Sequence, residues 1–307
     1  MFIGHACLAF ALAALGAHRL GWSRGTALRV AVLAGAFATV PDVDVVYGIA
    51  GLLAPAAGSG PIPVESFWDA GNQVHRGVTH ALPVALVVTV AVGLLARSDR
   101  SSQAVAGLLF VGLVAIVTTI SGPLAGAVAT LFVLTSAGVA VIARRRGVPP
   151  GIVTSAALVG LASHPFGDLF TGSPPALLYP FDLTVVSERV VLSANDTLHL
   201  LGAFGFELAT IWLAVLAYFV IAGDRPLAHV DRRAVVGVAY AGAALALPAP
   251  TLDVSYHFVF SVLAVGVVGI APPSLERLQT RRAALTALTA VSLAALAYAT
   301  VFVLLGP

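Results

Sequence analysis

The chain has 307 residues, of which 59% are hydrophobic and only 10% charged, with a formal net charge of +2. Soluble domains carry about 25% charged residues, and a folded domain of this size cannot hide so much apolar surface from water; lipid is the solvent that fits. The small charge, with no dense basic patch, excludes nucleic acid as a partner, and a single cysteine, Cys7, excludes an internal disulfide framework.

Apolar runs predict an all-α, polytopic membrane protein of about ten transmembrane helices, since a span needs about 20 residues. The first span, 2–18, carries His5 and lacks the basic leader of a signal peptide, because Arg19 and Arg24 follow it; it reads as a retained span. The second, 28–49, ends in PDVDVVYG with Asp42 and Asp44. A long connection, 50–78, holds a Gly/Pro/Ser-rich loop at 54–63 and an interfacial stretch around Glu65, Trp68 and Asp69. The third span, 79–96, opens in HRGVTHAL with His75, Arg76 and His80. Spans at 104–121 and 124–143 meet near Pro123, and the next, 151–170, ends in SHPFGDLFTG with His164 and Asp168. After a second long connection, 171–196, come 197–221, 234–250, 255–272 and 283–305, the last three poor in polar residues and scaffold-like. The junctions near Pro123 and near Pro248 and Pro250 read as tight loops, kinks or re-entrant turns.

Basic residues in short loops mark the cytoplasmic side. All sixteen are Arg, and those after spans one, three, five, seven and nine fall in alternate loops, leaving only Arg76 and Arg189 opposite. Both termini and both long connections are then expected outside the cytoplasm of a cell-membrane protein.

Ionisable residues within membrane spans are costly and mark functional sites. An orientation set by Arg alone brings His5, Asp42, Asp44, His75, His80, His164 and Asp168 to one membrane face. His164 and Asp168, four apart, share a helix face. His75 and His80, five apart, converge only if the chain turns between them, which Gly77 permits; Thr79 would then cap the third span. Asp42 and Asp44 follow Pro41 and suit an irregular turn lining a polar cavity. Each feature has a plain alternative: a helix cap, a hydrogen-bonded loop, a buried neutral pair. Together they would require four separate coincidences at one face.

Imidazoles and carboxylates suit zinc, with manganese as a further divalent ion, and seven such groups allow one to three ions. A bound ion lowers the pKa of its water and supplies a nucleophile for phosphoester hydrolysis. Asp44 is a ligand or a general base, and Arg76 suits a phosphate oxygen through its planar fork. From the second long connection and the seventh span, His199 is a further ligand candidate and Glu207 an acid/base candidate. His18 and His229 read as interfacial.

In its PDVDVVYG, HRGVTHAL and SHPFGDLFTG segments, taken in that order, the chain resembles the YdjM-type family of membrane-bound metal-dependent hydrolases. The resemblance rests on His5, Asp42, Asp44, His75, Arg76, His80, His164, Asp168 and Thr171, followed by Tyr179, Pro180 and Phe181, and covers 1–185. It implies a hydrolase-like core at 1–185 with additional transmembrane helices at 186–307. Such proteins look distantly similar to zinc-dependent phospholipase C and related nucleases, which implies phosphoester hydrolysis. Those soluble relatives use an additional H-x3-E that this chain lacks, since His199 and Glu207 are eight apart.

The expectation is therefore a membrane metallohydrolase acting on a lipid or lipid-linked phosphoester in the bilayer, its site facing outside. A non-enzymatic metal or headgroup binder or transporter is the rival reading, although few polar residues continue across the midplane. A structural protein with a metal staple is the third.

Overall fold

A computed structural model of the chain describes residues 2–53, 64–170, 172–252, 254–270 and 280–305. The loop expected at 54–63 and the motif residue Thr171 lie outside them. Every element among the described residues is an α- or 3-10 helix, in two compact units, Met1–Arg189 and Val190–Pro307.

The first unit contains α1 (Phe2–Arg19), α2 (Arg24–Ala38), α3 (Gly48–Leu53), α4 (Val64–Asn72), α5 (Leu82–Leu95), α6 (Arg100–Arg145) and α7 (Pro150–Gly167). Helices α1, α2 and α7 pack tightly because their contact faces carry almost no side-chain volume: Ala9, Ala14, Ala27, Ala31, Ala34, Ala156 and Ala157 are all buried. Gly160 allows the closest approach, since a Cβ there would lie 2.4 Å from the Ala34 carbonyl oxygen. Lipid supplies little hydrophobic drive between helices, and small residues that admit van der Waals contact replace it.

The 46-residue α6 is two helices. At Gly122 (φ 87°, ψ 176°) the backbone leaves the helical region, and Pro123 begins the second half. A Cβ on Gly126 would fall 2.1 Å from Thr118 Oγ1. Eight residues of straight helix would separate these positions by about 12 Å, so the chain doubles back as a hairpin. The junction expected near Pro123 is therefore a turn between two antiparallel segments.

The second unit contains α8 (Asp196–Ala222), α9 (Ala243–Ala246), α10 (Tyr256–Ala264), α11 (Val267–Ile270) and α12 (Thr280–Leu305). Its core is built from Leu200, Phe204, Phe258, Val262, Val291 and Tyr298. Two expected spans are broken here. The segment 234–250 is a 3-10 stretch, Arg232–Gly242, followed by the four-residue α9, and 255–272 is split into α10 and α11. Pro248 and Pro250 lack the N–H that would continue a helix. Gly237 sits where a Cβ would meet the Ala290 carbonyl oxygen at 2.1 Å, so that stretch follows the surface of α12.

Four helical stretches among the described residues are long and apolar enough to cross a membrane: Arg24–Leu53, Arg100–Arg145, Asp196–Ala222 and Thr280–Leu305. Shorter apolar helices lie at Leu82–Leu95 and Tyr256–Ile270. Large apolar side chains stand exposed along them, among them Leu108, Val111, Leu134, Leu296 and Val303, as a lipid-facing surface requires.

Candidate metal centre

Four helix ends meet at one end of the first unit. Helix α1 contributes His5 from its first turn. Helix α2 stops at Ala38 and passes into a 3-10 stretch, Pro41–Tyr47, carrying Asp42 and Asp44. A 3-10 turn advances about 120° per residue, so two carboxylates two apart point to different neighbours. Helix α7 ends at Gly167 and hands over to a 3-10 turn, Asp168–Phe170, with His164 one turn earlier.

Before α5 the chain makes the turn that the His75–His80 spacing demanded. A 3-10 turn at Val78–His80 carries His80, and the positive φ falls on Arg76 (65°). Non-glycine residues take such φ values rarely, and here the Arg76 side chain is fixed by bonds to the chain opposite. Its Nη1 donates to the Ser173 carbonyl at 2.8 Å, and its Nη2 lies 3.4 Å from Asp168 Oδ1. Gly172 makes room for it: a Cβ there would be 2.6 Å from Nη1.

The side chains converge. His80 Nε2 and His164 Nε2 are 3.0 Å apart. Asp168 Oδ2 lies 3.2 Å from the first and 3.6 Å from the second. Asp42 Oδ1 lies 3.4 Å from His164 Nε2 and 3.7 Å from His80 Nε2. His5 Nε2 stands 3.2 Å from Asp168 Oδ1, and its ring lies over that of His164 with centroids 3.9 Å apart. His5, Asp44, His80, His164 and Asp168 are each at most 2% exposed.

Three groups of ligand atoms lie within 4.8 Å of one another: His5, His164 and Asp168; Asp42, His80 and His164; and Asp44, His75 and His80. Each could hold a metal ion. The donor set fits: neither ring nitrogen of His5 nor Oδ2 of Asp168 makes a hydrogen bond, although all three atoms are buried. Buried polar atoms without partners carry a desolvation cost that a cation would offset. His164 is aimed by its backbone neighbour, since its Nδ1 donates to the Ala38 carbonyl at 2.6 Å, leaving Nε2 to face the centre.

The seven residues expected at one face thus gather at one end of one unit. His199 and Glu207 belong to the second unit and to none of the three groups. His199 is buried there, with Nδ1 accepting the Leu192 N–H at 3.1 Å. Thr79 was misplaced by the sequence: it does not cap α5, whose N-cap is Ala81. Its hydroxyl instead bonds Asp44 Oδ2 at 2.7 Å and His80 Nδ1 at 2.8 Å. Gly167 gave no sequence signal at all; a Cβ there would fall 2.5 Å from His5 Cε1.

A cleft of about 480 Å³ opens beside the centre. His75 and Arg76 line one part, and Ser173, Tyr179, Phe181 and Val185 another, so the wall is both polar and apolar. Tyr179 also ties this loop to the tip of the α6 hairpin through Ser121 Oγ at 2.8 Å.

The family described as YdjM inner membrane protein matches residues 1–228, which extends past the 1–185 of the motif-based resemblance and takes in α8. No curated protein and no solved structure matches the chain. The matched length is most of the chain, and the protein belongs to the YdjM inner membrane protein family.

Proposed function

We propose that this member of the YdjM family is a membrane-bound, metal-dependent hydrolase that cleaves a phosphoester of a lipid or lipid-linked substrate at the extracytoplasmic face. The observation that carries the reading is the meeting of two imidazole nitrogens and two carboxylate oxygens, 3.0–3.7 Å apart, inside an otherwise apolar helical unit. Mixed nitrogen and oxygen donors of this kind suit zinc first and manganese second.

Asp42, His80, His164 and Asp168 would hold an ion, with His5 beside Asp168 extending the site. A bound divalent ion supplies an activated water at neutral pH and stabilises developing negative charge. The chain itself does the rest. Arg76 and His75 form the part of the site that faces the cleft, their side chains 11% and 14% exposed. The Arg76 charge draws an anionic phosphate towards the centre and orients it. The mixed lining of the cleft accepts a polar headgroup on one side and an apolar chain on the other.

The orientation follows from the arginines. From His5 to Arg19, α1 runs about 21 Å away from the centre, at 1.5 Å per residue. Arg97 and Arg144–Arg146 likewise lie at the far ends of α5 and α6. Short loops rich in arginine stay cytoplasmic, which supports a centre facing outside.

Metal content and phosphoester turnover, measured together on purified wild type and on the His80→Ala/Asp168→Ala double variant, test the proposal. Stoichiometric zinc or manganese, with turnover lost in a folded double variant, is the expected result. Bound metal without turnover across a broad phosphoester panel would favour a binder or transporter, and no bound metal would sink the reading.

A further inference from the structure

Three histidines of the first unit use Nδ1 for a contact away from the centre, each with a different partner. His164 Nδ1 faces the Ala38 carbonyl at 2.6 Å, His75 Nδ1 faces Asp44 Oδ1 at 2.9 Å, and His80 Nδ1 faces Thr79 Oγ1 at 2.8 Å. The first two acceptors are oxygens without protons, so those Nδ1 atoms carry hydrogen. The third is a hydroxyl, which either donates or accepts.

Asp44 resolves the direction. Thr79 has one hydroxyl proton, and Asp44 Oδ2 lies 2.7 Å from its oxygen. A carboxylate only accepts, so the Thr79 proton points to Asp44. The Thr79 oxygen is then left to accept, and His80 must donate from Nδ1. In the neutral ring, the form that binds a metal, the lone pair is then on Nε2, 3.0 Å from His164 Nε2. Two lone pairs at that separation repel unless a proton or a metal cation lies between them.

We propose that Thr79 and Asp44 are positioning residues that lock His80 in the tautomer that presents Nε2 to the metal centre, that Asp44 holds His75 through its Nδ1, and that Asp44 is not itself a metal ligand. Both Asp44 oxygens are engaged, one by His75 and one by Thr79, and the residue is 1% exposed. The group of Asp44, His75 and His80 is thus the support of the centre. Of the other two groups, both depend on His164 Nε2, whose single lone pair serves one ion. The ligands close to His80 and His164 therefore make one shared centre, which a second ion can join only through Asp168 and His5. Outer hydrogen bonds of this kind fix ring orientation and raise ligand basicity.

The inference rests on the metal-dependent reading above, and the test separates the two. Zinc affinity is measured by chelator competition on wild type, Thr79→Val and Thr79→Ser. Valine keeps the shape and removes the hydroxyl; serine keeps the hydroxyl. Thr79→Val is expected to bind zinc about 10- to 100-fold more weakly, as removal of such partners does, and Thr79→Ser to stay within a few-fold of wild type. Equal affinity in wild type and Thr79→Val would overturn the positioning role while leaving the metal centre intact. A wild type that binds no zinc would overturn the metal reading itself. Should Thr79→Val fail to fold, ¹⁵N-histidine NMR of zinc-loaded wild type and Thr79→Ser decides: Nδ1–H with a coordinated Nε2 at His80 supports the lock, and coordination through Nδ1 overturns it.

Discussion

The two units bury polar groups in opposite ways. In Val190–Pro307 the buried side chains of His199 and Thr286 have protein partners: His199 accepts from Leu192, and Thr286 accepts from the Asp231 N–H at 2.9 Å. Trp212 donates to Ser292 and Tyr240 bonds Ser261. In Met1–Arg189, His5 and Asp168 Oδ2 are buried with no hydrogen bond, and two Nε2 atoms face each other. A self-satisfied polar group belongs to a fold; converging nitrogen and oxygen donors could hold a ligand, here the proposed metal ion.

The largest effect should come from removing that ligand. At a hundredfold excess over Kd, a bound ion stabilises the protein that holds it by ~2.7 kcal/mol, or about 4 °C in melting temperature for a chain of 307 residues. Chelation is therefore expected to lower the melting temperature of wild type by that amount, and to leave His80→Ala/Asp168→Ala unchanged. An equal drop in both, read by differential scanning fluorimetry, would break the comparison.

Next is a change confined to the second unit. Tyr298 is 1% exposed, with ring centroids 5.0 Å from Phe258 and 6.5 Å from Phe302. Tyr298→Ala is expected to cost about 3 kcal/mol of stability, as large core truncations do, with zinc stoichiometry unchanged in the folded protein. Lost zinc at full folding would show that the second unit supports the centre directly.

A pair of glycines sharpens the contrast further. At Gly167 an added Cβ meets the His5 ring, whereas at Gly237 it meets the Ala290 carbonyl at 2.1 Å. Gly167→Ala is expected to displace His5 and weaken zinc binding about 10-fold in chelator competition, on the scale of other changes that disturb ligand orientation. Gly237→Ala is expected to destabilise by about 1–3 kcal/mol through overpacking and to leave zinc affinity alone.

The smallest effect is at the helix caps. Asp99 caps α6 by accepting the Ser102 N–H at 2.8 Å, and Asn195 caps α8 by accepting the Leu198 N–H at 3.0 Å. Only Asp99 titrates, and the hydrogen bonds from Ser102 and Ser101 hold its carboxyl down at about 2, below the ordinary 3.8. Because the folded value is depressed, its contribution is present above about pH 4 and is lost as pH falls towards 2. Asp99→Asn is expected to flatten this part of the melting-temperature profile between pH 5 and 2, while Asn195→Ala lowers the profile uniformly.

The motifs were legible because ionisable residues stand out against a chain that is only 10% charged. The i,i+4 relation of His164 and Asp168 carried straight into contact, since a helix fixes that geometry locally. The role of Thr79 was not legible. A threonine just before a helix reads as a cap, and only the arrival of Asp44 from another helix end gave its hydroxyl a different partner. Gly167 was silent for the same reason: its neighbour His5 lies far away in sequence. The span count also exceeded what local pattern can decide. Hydropathy marks 234–250 as apolar, but Pro248, Pro250 and close contact with α12 keep it from being one long helix.

By itself the sequence determined the membrane setting, the all-helical class and the identity of the residues that gather, because hydropathy and charge are properties of each side chain wherever it lies. Only the tertiary structure decided which nitrogen of each histidine faces the centre and which carboxylates reach it. For His75 and His164 the partners lie 31 and 126 residues away, at Asp44 and Ala38, and for His80 the adjacent Thr79 is oriented by Asp44, 35 residues from it. A hydrogen bond is specific to a few tenths of an ångström, and no local pattern sets distances on that scale between separate helices.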